Sequence, residues 1–325
     1  MKKILIALMA VLSVSFVTAQ DNPVKPRYRV ILDNDYAGDP DGLVQLAHQL
    51  MSPSTEIRAI IGSGDIPSFP PTPDPCGAAV DEINKLMTLM GIQDKYPVLR
   101  GSNEKMTTES PADCEGARAI IKEALRTDTK VPLLVLCGGS LKTVASAWLI
   151  EPAIADKLTV IWIGGQEYDG SVGTKETNLN LSIAAAEVIF NKSTIPLWQI
   201  PRDVYRQAMM STAEMKTRVA VTGKAGSYLT NKVLGFVNLI APVLGTAETY
   251  VLGDSPLVLL TALQTCFQPD PSSSFSVIRK APKITGDGKY EDNPEGRPIR
   301  VFTQIDSRLM FEDFIAKLVL LNSSK

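Results

Sequence analysis

One histidine, His48, stands among 325 residues, the four cysteines lack metal-type spacing, and no run of basic side chains occurs. Each shortage removes a class of function. Nucleic acid is not an expected partner, because its phosphates demand a Lys/Arg patch. Past the N-terminal segment no apolar run approaches the roughly 20 residues of a spanning helix, so no membrane span is expected. The glycine pairs Gly138-Gly139 and Gly164-Gly165 fit neither the dinucleotide nor the P-loop pattern, and there is no internal repeat.

What is present begins with a leader. Met1-Lys2-Lys3 is followed by an apolar run over 4–17 and by Thr18-Ala19-Gln20, which reads as a signal peptide over 1–19 cleaved after Ala19. A periplasmic or secreted location follows, and with no cysteine at the cleavage point a lipid anchor is not expected. Loss of Lys2 and Lys3 leaves 31 basic against 35 acidic side chains, a mildly acidic protein suited to small neutral or cationic ligands. With 45% hydrophobic residues the chain can bury a sizeable core, and one domain over 27–325 is the economical division. Cys137 and Cys266 lie in apolar contexts. Cys76 and Cys114 fall in polar stretches, where an exported chain either pairs them or leaves both free.

Apolar, β-branched runs at 28–33, 56–62, 131–137, 158–164 and 194–200 alternate with amphipathic helical patterns at 40–51, 78–90, 115–126, 141–149 and 183–190. That alternation predicts an α/β fold, an open, mostly parallel, doubly wound sheet. Helices at 211–221, 228–239 and 256–263 are expected to cap it. Strands at 275–280 and 299–304 and a helix at 307–321 close the chain, with loops at 67–75 and 286–298.

The chemistry concentrates where the first strand ends, in Asp33-Asn34-Asp35-Tyr36-Ala37-Gly38-Asp39-Pro40-Asp41-Gly42. Four carboxylates arrive at the carboxyl end of a parallel strand, where adjacent loops diverge and ligands bind. Asp39 before Pro40 reads as a helix N-cap, with Asp41 in the first turn. Capping leaves Asp33 and Asp35 unexplained. Like charges this close raise one another's pKa unless a cation or several donors compensate. An all-oxygen set without His or Cys suits calcium rather than zinc or copper. From the cluster alone, a metal site and a capped turn with solvated charges both stand.

This stretch resembles the N-terminal aspartate motif of the inosine/uridine-preferring nucleoside hydrolases, in a longer form with two extra residues before the helix. Further resemblances follow in order. Gly139-Ser140-Leu141-Lys142-Thr143 resembles that family's Gly-Pro-Leu-Thr-Asn turn, Trp162-Ile163-Gly164-Gly165 its Met-Gly-Gly strand end, and Glu176-Thr177-Asn178 its Glu-Phe-Asn. Ile200-Pro201-Arg202-Asp203-Val204-Tyr205 resembles a Pro-Leu-Asp-Val-Thr segment, and Gly253-Asp254-Ser255-Pro256-Leu257 resembles His-Asp-Pro-Leu.

The resemblance implies a nucleoside hydrolase-like fold and cleavage of a nucleoside or related riboside to free base and ribose. Asp35 would bind calcium and act as base for the attacking water. Asp254 would bind calcium and the sugar, and Lys142 would offer its backbone carbonyl. Asp41, Glu176 and Asn178 would hold ribose hydroxyls. Two departures bear on these roles. Gly42 stands where the family has the second of two adjacent aspartates, so Asp39 or Asp41 would supply that ligand. Gly253 stands where relatives carry a histidine that protonates the leaving base. His48 lies about 10 Å further along the helix from Asp41 and reads as a packed structural residue. The proton would come from a phenol such as Tyr36, Tyr205 or Tyr250, or from solvent, and Trp162, Tyr168 and Tyr205 are the aromatics available to stack on a base. A non-catalytic riboside-binding protein and a hydrolase of another ribosyl compound are the alternatives. Base preference and a homo-oligomeric state are left open.

Overall fold

The computed structural model describes residues 24–65, 68–169, 175–245, 248–264 and 274–323. The expected leader and Cys266 lie outside the described residues. Six parallel strands open the fold: β1 (Tyr28–Asn34), β2 (Thr55–Gly62), β3 (Val98–Arg100), β4 (Leu133–Cys137), β5 (Leu158–Ile163) and β6 (Leu197–Ile200). A short ribbon of β7 (Met209–Ser211) and β8 (Thr249–Val251) follows. Then come β9 (Phe275–Lys280), the two-residue strands β10 (Lys283–Ile284) and β11 (Tyr290–Glu291), and β12 (Pro298–Gln304). The main sheet runs β3-β2-β1-β4-β5-β6-β12-β9, parallel except for the pairing of β9 with β12.

Side-chain alternation explains the two-faced winding. On β1, Val30 and Leu32 enter one core and Ile31 the other; on β4, Leu134 and Leu136 divide in the same way from Val135 and Cys137. Helices α1 (Asp41–Leu50) and α2 (Pro75–Met90) cover the first face through Leu43, Leu46, Ile83 and Leu86. Helices α3 (Glu115–Ala124) and α4 (Lys142–Ile150) cover the second through Ala117, Ile120, Val144 and Ala145. The chain leaves β1 to one side for β2 and later returns to its other side as β4. The strand order therefore reverses at β1, and a crevice opens at the carboxyl ends of β1 and β4.

The helix Lys224–Leu244 packs Leu229 and Val233 onto the first core and carries Phe236 and Ile240 to the rim of that crevice. It is a core helix and a site wall at once. The loop expected at 286–298 contains β11, which pairs with β10. Cys76 and Cys114 are free thiols, each placed at the start of a helix. Asp74 caps α2 by accepting the Gly77 N–H at 3.0 Å with Pro75 beside it, which puts Cys76 in the first turn; Cys114 itself caps α3. His48 is buried at the far end of α1, with Nε2 2.7 Å from Asp313 Oδ2 and its ring against Phe314. Among the described residues no helix is long and apolar enough to cross a membrane.

Candidate active site

At the reversal point the structure encloses a cavity of about 350 Å³ lined by Asp35, Asp39, Asp41, Glu176, Asn178 and Asp254. The distant member arrives through the turn after β8. Asp254 Oδ2 accepts the Asn34 side-chain amide at 2.8 Å, and the Asp254 N–H donates to Asp41 Oδ2 at 3.2 Å. Residues 220 positions apart are thus held together at the tip of β1. The cap expected of Asp39 is not formed in that register: Pro40 takes the N-cap position of α1, which starts at Asp41 and has no side-chain cap. Asp254 does not cap the helix behind it, because its side chain is turned to Asn34. Asp39 does double duty, since one oxygen accepts both the Asp41 N–H at 3.4 Å and the Tyr250 hydroxyl.

Asp35, Asp41 and Asp254 are buried and Asp39 is half-buried. Burial, and then the charge of Asp254, hold the Asp35 and Asp41 carboxyls well above the usual carboxylate range; burial pushes Asp254 up to about 7. Among the described residues no Lys or Arg forms an ion pair with any of the four. Nearby Lys142 pairs instead with Asp65, and Arg206 stands exposed at the mouth of the cavity. Asp33 does not line the cavity. One of its oxygens takes the Ser63 hydroxyl, the other is buried without a partner, and burial pushes its carboxyl up to about 7.

Glu176 and Asn178 form the opposite wall, and both are tied to the frame. Glu176 caps the helix Thr177–Leu181, accepting the N–H groups of Asn178 at 3.1 Å and Leu179 at 2.8 Å, and it also takes the Gly165 N–H at 2.8 Å and the Tyr205 hydroxyl at 3.0 Å. Asn178 donates its side-chain N–H groups to the carbonyls of Gly138 at 2.7 Å and Ile163 at 2.8 Å. That leaves its side-chain oxygen as its acceptor for a ligand.

The remaining wall is apolar, formed by Phe236, Ile240 and Val251 with Tyr205 and Tyr250. Phe236 and Ile240 stand one turn apart on one helix, a spacing visible in the sequence but assigned there only to a cap. Of the aromatics expected to meet a base, only Tyr205 lines the cavity. Trp162 is fully buried and donates to the Gly139 carbonyl at 2.9 Å, and Tyr168 lies under Arg279, donating to Gln199 at 2.6 Å. Of the phenols, Tyr36 is sealed in the core and absent from the cavity lining. Gly253 lines the cavity in a tight position, where a Cβ would lie 3.1 Å from the Tyr205 ring and 3.4 Å from Asp41 Oδ2. The Lys142 side chain points into a different cavity, with Asp65 and Asn103.

No protein-family model matches the sequence, and no curated protein matches it in sequence. Solved structures do match. A purine-preferring ribonucleoside hydrolase from Gardnerella vaginalis superposes with a TM-score of 0.68 over 91% of this chain and 100% of that one, at 18% identity. This is the nucleoside hydrolase fold. An inosine-guanosine nucleoside hydrolase matches with a TM-score of 0.67 at 17% identity, covering 90% of this chain and 99% of that one. An inosine-uridine preferring nucleoside hydrolase from Bacillus anthracis matches at 0.61 and 14% identity over 90% and 99%. The cavity therefore lies at the strand-order reversal of a nucleoside hydrolase fold, and the identities leave its chemistry to be argued from its residues.

The donor set fits a hard divalent cation in kind. Its groups are oxygens, several are buried, and among the described residues no basic side chain is ion-paired with them to relieve their mutual repulsion. Their arrangement is more open than a closed cage, since among the described residues no three His, Cys, Asp or Glu side chains converge on one point. Backbone carbonyls and water would have to complete the coordination.

Proposed function

We propose that this cavity hydrolyses the N-glycosidic bond of a ribonucleoside or related N-riboside, giving free base and ribose. One observation carries the reading. Asp35, Asp41 and Asp254 line one cavity at the strand-order reversal, and among the described residues no Lys or Arg forms an ion pair with them. Calcium, held by Asp35, Asp254 and either Asp39 or Asp41, would supply the positive charge that keeps these carboxylates ionised and the polar atoms of sugar and water in register.

The side chains divide the remaining work. Asp35 takes the proton of the attacking water, and Asp41, Asp254 and the Asn178 side-chain oxygen bind ribose hydroxyls. Glu176 reaches a hydroxyl only by releasing Tyr205, because its other acceptor positions hold backbone N–H groups. As the C–N bond breaks, positive charge grows on the sugar, and the surrounding carboxylates oppose it. No covalent intermediate is required. The apolar wall of Phe236, Ile240 and Val251 receives the base, which takes its proton from solvent or from Tyr205 or Tyr250. With a cleaved leader, the reaction would serve salvage outside the cytoplasm.

A riboside-binding protein without turnover is the rival, favoured by the saturated Glu176 and by the lack of a side chain at Gly253. Reducing-sugar release from a nucleoside panel, with and without chelator, separates the two. Release that chelator and Asp35→Ala both abolish is expected. Binding without release, unchanged in Asp35→Ala, would establish the rival.

A further inference from the structure

Asn34 sits between Asp33 and Asp35 on β1, 1% exposed, and has no part in the chemistry above. Its contacts are unusual for a spacer. Nδ2 donates to Asp254 Oδ2 at 2.8 Å, and Oδ1 accepts the backbone N–H of Asp35 at 2.9 Å, so one amide ties the Asp254 carboxylate to the backbone from which Asp35 projects. The same amide lies against two glycines. A Cβ on Gly42 would stand 2.9 Å from Nδ2 and 3.1 Å from Cγ, and a Cβ on Gly138 would overlap the amide outright. Gly42 lies within the first turn of α1 and is not among the positive-φ glycines. The bulk of Asn34 excludes a side chain there, and the backbone does not.

We propose that Asn34 sets the cation affinity of the cavity. Its amide competes for an Asp254 oxygen that a cation would use, and it fills the space through which a side chain at position 42 would reach the same point. The amide holds Asp254 in place without an ion, and calcium binds weakly and reversibly. This rests on the reading of the cavity as a cation and riboside site, but it concerns binding rather than turnover, so the two can fail separately.

The test is calorimetric titration of the full mature chain with calcium chloride alone at neutral pH. The paired change Asn34→Thr with Gly42→Asp opens the space and fills it with a carboxylate, and it is expected to tighten calcium binding by about 10- to 100-fold. Gly42→Asp alone meets the Asn34 amide and is expected to give no tightening. If the pair folds poorly, the near-isosteric Asn34→Asp removes the competing donor and adds a carboxylate at the same place. It is expected to bind calcium more tightly and to lose thermal stability in chelator. Equal tightening by Gly42→Asp alone would overturn the proposal. So would a pair, or an Asn34→Asp protein, with a Kd within twofold of the unaltered chain. Ribose release on the same samples keeps the readings apart: tighter calcium without turnover defeats only the hydrolase, and chelator-sensitive turnover with unchanged affinities defeats only the role of Asn34.

Discussion

At the amino end of β1, Arg29 is buried against Glu123, which also receives Arg126 at 3.0 Å and lies 3.3 Å from Arg58. Arg29 further donates to the carbonyls of Val131 at 2.8 Å and Glu123 at 3.0 Å. At the carboxyl end of the same strand, Asp33 and Asp35 are as deeply buried, but Asp33 keeps one oxygen without a partner and Asp35 faces the charges of Asp254 and Asp39. One end neutralises its charge with protein groups, and burial there serves the fold. The other end leaves its charge for something external, whether a proton, a cation or a substrate. Uncompensated burial is unfavourable for stability, and it is the form that reserved binding energy takes in a folded chain.

Substitutions at the two ends should therefore behave oppositely. The largest effect is expected for Asp35→Asn, which removes the base and one of the repelling charges. Ribose release should fall by about 10³-fold, within the range of general-base losses, while thermal unfolding in chelator moves upward. Steady-state assay and calorimetry on one sample decide it, and a lower Tm would show that Asp35 is compensated after all. At the other end, Glu123→Ala strands the buried Arg29 and should lower stability by about 3 kcal/mol by urea unfolding, with kcat/KM of the folded fraction unchanged. An activity loss there would tie the two ends together.

The smallest effect is one of sign. Asp33 and Asp254 are pushed up to about 7 by burial, so in chelator the folded state holds protons that the unfolded chain has released between about pH 4 and 7. Stability should then fall as pH rises, by roughly 5 °C in Tm from pH 5 to 7.5. Calcium needs the ionised carboxylates, so its stabilisation should grow over the same interval. A Tm that rises with pH in chelator would mean that the cluster is already neutralised.

The same contrast governs how much could be read in advance. The long buried runs at 28–33, 131–137 and 158–164 and the helices between them emerge from periodicity because core burial imposes it. β3, the β7–β8 ribbon and the β10–β11 pair escape because ladders of two or three residues carry no period. The true start of α2 was legible in Asp74-Pro75, where Asp74 caps and Pro75 opens the helix, whereas at Asp39-Pro40 the helix opens one residue later. In the cavity, the carboxylates are visible as a cluster and Asp254 through its ordered motif. Asn34 is not, since an amide between aspartates looks like a spacer until Asp254 is folded onto it. Phe236 and Ile240 carry an i, i+4 signal, but only tertiary packing shows which cavity they face. Glu176 reads as a loop carboxylate, and the donors that saturate it come from four separate positions.

The most direct measurement is a crystal structure of the mature protein soaked with calcium and a non-hydrolysable riboside analogue. The account predicts an ion bonded to oxygens of Asp35 and Asp254, with ribose hydroxyls on Asp41 and Asn178 and the base against Phe236. A cavity that holds neither ion nor sugar at saturating concentrations, with Asn34 still bridging Asp35 and Asp254, would contradict it.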